Sequence, residues 1–152
     1  MCIRDSYWGV VLGANVVGTA LFALLLCHEP LFSPAVWDAL NGVAAEALHD
    51  AFWPMLVKAV FAGWLIALMI WLLPGAGSAR MLVILVLTYF VAIGRFSHVI
   101  AGSVEAAFAV FTGHVAPLAY LTHFLLPTVI GNTLGGVALV ALLNHAPLAA
   151  EG

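Results

Sequence analysis

Apolar residues do not alternate along this chain; they come in long runs separated by short polar or Pro/Gly-rich stretches. The first run, Tyr7 to Cys27, can cross a hydrocarbon layer, since a spanning helix needs about 20 residues. Gly9 and Gly13, and again Ala14 and Gly18, are spaced so that a second helix can approach closely. His28-Glu29-Pro30 stops this run, and Ser33-Pro34 then offers an N-cap residue followed by proline at the first helical position. Over 34–49, Val36, Leu40, Val43, Ala44 and Ala47 recur at helical spacing while Asp38, Asn41 and Glu46 fall elsewhere. The pattern predicts a helix lying in the membrane interface.

Residues 52–73 form the next spanning run, with a small-residue stripe at Ala59, Gly63 and Ala67 and with Trp53 and Trp71 near its ends. Lys58 within it either snorkels toward an interface or faces a wet vestibule. Pro74-Gly75-Ala76-Gly77-Ser78 ends the run. The stretch 81–111 differs, because a continuous helix of that length would be roughly 45 Å long, well beyond one hydrocarbon thickness. Its middle carries Gly94, Arg95, Ser97, His98, Gly102, Ser103 and Glu105, where a lipid-facing helix would be apolar. A helix broken around Gly94 to Ser103 is expected, since irregular backbone at membrane depth is tolerated only where protein buries it or it lines an aqueous cavity. Arg95 and Glu105 either pair and fix the break or attract an anion. The last span, 118–143, contains Pro127 and a packing face at Gly131 and Gly135, with Asn132 and Gly136 beside it, and 147–152 form a tail. Asn132 is expected to hydrogen-bond one helix to another.

Composition agrees with this pattern: 65% of the 152 residues are hydrophobic, 7% are charged, and mean hydropathy is +1.17. A soluble domain carries about 25% charged residues, so the chain reads as an all-α membrane protein. Four Lys and Arg against seven Asp and Glu leave no basic cluster for nucleic acid. Cys2 and Cys27 have no metal-ligand spacing, and the histidines form neither a His-x-x-x-His pair nor a His-Glu-x-x-His motif. We expect no metal, no cofactor and no enzyme activity. Arg80 is the basic residue of the short loops, while the connection 29–50 holds four acids and no Lys or Arg. Positive-inside placement therefore puts the 74–80 loop and the carboxy terminus in the cytoplasm. Residues 1–6 are polar, abut the first run abruptly and read as a foreign leader, with natural sequence expected upstream.

Three stretches carry a resemblance to the formate/nitrite transporter family. Asn15-Val16-Val17-Gly18-Thr19-Ala20 resembles the Asn-x-x-Gly pattern of that family's third helix. Phe96-Ser97-His98-Val99-Ile100-Ala101 resembles the Phe-Glu-His-x-Ile-Ala signature of its broken fifth helix. Leu126-Pro127-Thr128-Val129-Ile130-Gly131-Asn132-Thr133-Leu134-Gly135-Gly136 is similar to the Pro-x-x-x-Gly-Asn-x-x-Gly-Gly of its sixth. Asn15 and Gly18 join the packing residues on this basis.

The resemblance implies an aquaporin-like helical bundle, incomplete here because the first two helices are absent, with residues 7–146 as a partial transporter domain. It implies homopentamers with one pore per subunit in the bacterial inner membrane, and small monovalent anions such as formate or nitrite as cargo. It places His98, Ser97 and Gly63 along the pore, and Ile66, Val91 and neighbouring Phe90 at its constrictions. The sequence departs from the family pattern at Ser97, Gly102 and Gly63, where glutamate and two asparagines are common. His98 has two readings: a proton donor to the passing anion, or an imidazole that holds the break by bonding a carbonyl. His114, His123 and His145 fall near predicted helix ends, where an interfacial imidazole costs little. Rival functions are a channel for hydrosulfide, acetate or a neutral solute, and a non-transporting membrane partner subunit.

Overall fold

The structure is a computed structural model that describes residues 3–28 and 32–150. Met1 and Cys2 of the expected leader, Glu29 and Pro30 of the first helix stop, and Glu151 and Gly152 of the tail lie outside the described residues. Among the described residues all regular structure is helical: α1 (Ile3–Leu26), α2 (Pro34–Ala47), α3 (Phe52–Leu72), α4 (Arg80–Ile93), α5 (Val99–Phe111), a short turn α6 (Pro117–Ala119) and α7 (Leu126–Ala150). Three segments are long and apolar enough to cross a membrane: Tyr7–Leu26, Phe52–Gly75 and Pro117–Leu143. The 14-residue α4 and the 13-residue α5 are each too short to do so alone, about 20 Å of helix against about 30 Å of hydrocarbon.

Helix ends follow local chemistry. Pro34 opens α2, and Ser33 stands at its N-cap with extended backbone (φ −68°, ψ 156°). Its carbonyl, not its hydroxyl, takes the amides of Val36 and Trp37 at 3.0 Å. α3 runs into a 3₁₀ turn at Leu73–Gly75, where Pro74 cannot continue an α-helix, and the Arg80 Nε donates to the Leu73 carbonyl at 3.3 Å. α5 ends at Gly113 (φ 78°), with His114 N bonding Ala109 O at 2.9 Å and Gly113 N bonding Val110 O at 3.1 Å. That pair of bonds is a Schellman ending, with glycine supplying the left-handed residue.

The last span, expected over 118–143, is not α-helical throughout. Tyr120–Leu125 forms a π-helical turn, and α7 begins only at Leu126. Pro127 offers no N–H to a carbonyl four residues back, and a widened turn before it accommodates the ring. At the other end α7 continues to Ala150, through most of the expected tail.

The chain divides into two compact units, residues 1–50 with 100–125, and residues 51–99 with 126–152. In the first, Ala23 of α1, Ala44 of α2 and Ala107, Phe108 and Ala109 of α5 form a buried cluster bordered by Trp37 and Leu40. Trp37 meets Phe108 edge-on at 5.3 Å. The Tyr120 hydroxyl donates to Ser103 Oγ at 3.0 Å, tying the π turn to α5. Gly9, Gly13 and Gly18 of α1 face open space.

In the second unit α3 packs on α7 through small residues. A Cβ on Gly131 would lie 2.6 Å from Ala59 Cβ and from the Leu56 carbonyl. One on Gly135 would collide with the Val60 carbonyl, and one on Gly63 with the backbone of Asn132. Gly136 sits 3.9 Å from Ala67 Cβ by the same measure. Contacts advance together along both helices, so α3 and α7 run parallel. Lipid offers little apolar drive for helix association, and close backbone approach replaces it.

Candidate functional site

The break between α4 and α5 lies at Gly94–His98, inside the expected window. α4 ends in a second Schellman arrangement: Phe96 N bonds Val91 O and Arg95 N bonds Ala92 O, both at 3.0 Å. The left-handed position belongs to Arg95 (φ 49°) and not to the adjacent Gly94. A non-glycine residue there costs roughly 1–2 kcal/mol, so other contacts must hold it. The Phe96 ring lies over Gly94, where a Cβ would come within 2.6 Å of it, and stacks on Phe61 of α3 with centroids 5.4 Å apart.

Asn132 of α7 clamps the far side of the break. Its Nδ2 donates to the Ser97 carbonyl at 3.0 Å and to the Ala59 carbonyl of α3 at 2.8 Å. Its Oδ1 accepts from Val99 N, the first amide of α5, at 2.8 Å. An α-helix leaves its first amides without internal partners, and here a side chain from another helix caps one of them. The helix-to-helix bond expected of Asn132 is present, and the same amide also holds the backbone on both sides of His98. His98 is half-buried at the N-cap position of α5, with the Ser97 carbonyl and the Val99 amide both pinned.

The other predicted residues divide between the two units. Ile66 and Val91 are half-buried and Phe90 is exposed, all in the unit that holds the break. Gly63, expected along the pore, is buried in the α3–α7 crossing against the Asn132 backbone. It has no room for a side chain, and its role here is close packing. Gly102 and Ser103 were expected to support the break; they lie inside regular α5, one turn past it. Gly102 meets the Phe124 ring and Ser103 accepts from Tyr120, so both seat α5 on the π turn. Glu105 is half-buried in the same unit and borders a cavity. Asn15 bonds its own helix at Val11 O, 2.8 Å away, and among the described residues a Cβ on Gly18 would meet no neighbouring element within 4 Å. Lys58 is half-buried in α3.

Sequence reasoning missed the double grip of Asn132 on the break, the Phe61–Phe96 stack and the Tyr120–Ser103 bond. The first had a partial signal: an asparagine between glycines on an apolar helix has to bond something, and the nearest irregular backbone has unpaired groups to offer.

Long apolar helices, a helix interrupted by polar residues, and a side-chain amide that satisfies the interruption define an α-helical membrane protein of the transporter type. The sequence pattern described as formate/nitrite transporter matches residues 6–146, and the chain belongs to that family. It is 36% identical over 141 residues to the Inner membrane protein YfdC of Escherichia coli strain K12, a match covering 93% of this chain and 46% of that protein. It is 29% identical over 141 residues to the Uncharacterized transporter YrhG of Bacillus subtilis strain 168, covering 90% of this chain and 52% of that one. The chain thus spans about half the length of the curated relatives it matches. No solved structure matches it.

Proposed function

We propose that this chain is part of a channel or transporter that passes small monovalent anions such as formate or nitrite across the bacterial inner membrane, each accompanied by a proton that His98 exchanges. The observation that carries this reading is the clamped break: Asn132 holds the Ser97 carbonyl and the Val99 amide, which fixes the backbone of the one histidine between them. A charge at mid-membrane costs from a few to more than ten kcal/mol. Protonation removes most of that cost, and imidazole is the side chain that ordinarily exchanges protons between pH 5 and 8. Small acids of this kind have carboxyl-like acidities that a low-dielectric site raises toward that range. Ser97 lines the path beside His98, and Ile66, Val91 and Phe90 supply its apolar constrictions, where only the neutral acid passes readily.

The names of the relatives support the setting, YfdC as an inner membrane protein and YrhG as a transporter. Topology supports the orientation. Parallel α3 and α7 end on the same side of the membrane. The carboxy terminus then shares a side with the loop holding Arg80, the cytoplasmic side by charge. The assembly is a homopentamer, in keeping with the family resemblance, and the exposed apolar faces of α1 and α4 suit further helices or lipid.

The test is uptake of formate, nitrite and hydrosulfide by the full-length protein in proteoliposomes between pH 5.5 and 7.5, beside His98→Phe. Uptake of formate or nitrite that rises as pH falls, and that loses most of its pH dependence in His98→Phe, is the expected result. Unchanged pH-dependent uptake in the variant would refute the role of His98, and uptake of hydrosulfide alone would replace the cargo.

A further inference from the structure

The unit formed by residues 1–50 and 100–125 holds a cavity lined by none of the residues proposed above for the anion path. It measures about 470 Å³ and lies among Leu26 of α1, Val36, Leu40 and Val43 of α2, and Val104 and Phe108 of α5. All other side chains on its wall are alanine except one, Glu105. This carboxyl group is half-buried and has no hydrogen-bond or ion-pair partner among the described residues. No residue of α1 or α2 on the wall is titratable, so nothing within the wall balances its charge.

We infer that this cavity binds a monovalent organic cation with an apolar body, such as a protonated aryl- or alkylamine, with Glu105 as its counter-ion. The volume falls in the range of small-molecule sites, which are mostly apolar with a few placed polar groups. A carboxyl group in apolar surroundings either takes up a proton or meets a cation, and a cationic ligand can itself supply that charge. An anion would be repelled by the ionised Glu105 carboxylate. Calcium requires six to eight oxygen ligands, and magnesium a near-octahedral oxygen shell. One carboxylate supplies too few, and the apolar wall supplies none. What remains is a single positive charge carried on a hydrophobic body, for which Phe108 and the aliphatic side chains provide contact.

A matched pair of probes tests this in the protein reconstituted in lipid nanodiscs: benzyltrimethylammonium, and neopentylbenzene, which has carbon in place of the charged nitrogen. Saturable binding of the cation, weakened at least tenfold in Glu105→Gln, with the neutral probe binding both proteins alike, is the expected result. Val36→Trp, which fills the cavity from α2, should abolish both. Circular dichroism checks that each variant keeps its helices; should Glu105→Gln lose them, Glu105→Asp, retaining the charge and binding within about threefold, takes its place beside Val36→Trp. Cation binding to Glu105→Gln within twofold of the wild type, cation binding that survives Val36→Trp, or no saturable cation binding to the wild type would each overturn the proposal. The readout is binding and not uptake, so it stands apart from the fate of His98.

Discussion

Asn132→Leu removes a side chain that makes three hydrogen bonds and puts an apolar group of similar size in its place. A neutral hydrogen bond contributes about 1 kcal/mol net, so loss of all three would cost about 3 kcal/mol. The three are unequal. The Ala59 carbonyl lies within α3 and keeps its own helical partner, whereas the Ser97 carbonyl and the Val99 amide flank irregular backbone and have no helical substitute. Partial burial lets water relieve some of the loss, which brings the expected destabilisation to about 2–3 kcal/mol. Locally that is a 30- to 150-fold rise in opening of the break, since each 1.4 kcal/mol is about tenfold. Hydrogen exchange at the Val99 amide reads it directly, and unfolding in mixed micelles reads the global part. Asn132→Asp separates the donors from the acceptor. It keeps an oxygen for the Val99 amide but turns a carboxylate toward two carbonyl oxygens, and it should cost at least as much as leucine. Val99 exchange within threefold of the wild type in both variants would show that the amide does not hold the break.

Three further outcomes follow from the packing and the site. Gly135→Ala should destabilise the α3–α7 pair by about 2 kcal/mol or more, because the new methyl meets the backbone of Val60 and Trp64, which cannot swing aside. Gly136→Ala, next to it, should be neutral or stabilising by up to about 1 kcal/mol, since its methyl finds ordinary contact distances and alanine favours the helix; thermal unfolding of the two variants checks the contrast. Tyr120→Phe and Ser103→Ala should each weaken the seat of the π turn, and a double-mutant cycle should return a coupling of about 1 kcal/mol between them.

The spans and the break could be read from the chain because they depend on local composition. Twenty apolar residues have few folded alternatives, and Arg95, Ser97 and His98 cannot sit in a lipid-facing helix. What could not be read depends on partners distant in sequence. Arg95 adopts the left-handed position although Gly94 stands beside it and would do so with less strain. The Phe61–Phe96 stack and the two backbone bonds of the Schellman ending fix the register one residue later than local preference would. The π turn was hidden for a related reason: Pro127 announces a disturbance but not which turn absorbs it.

Gly63 shows how one residue can satisfy two requirements. A position on a pore wall and a position in a helix crossing both favour a small residue, and the chain alone does not separate them. Close packing decides the matter. With no Cβ at Gly63, the Asn132 backbone can lie directly on α3, and its amide can then reach the Ala59 carbonyl on one side and the break on the other. A side chain at 63 and the clamp at 132 therefore exclude one another. In this chain the glycine is what allows a residue of the last helix to set the backbone around His98.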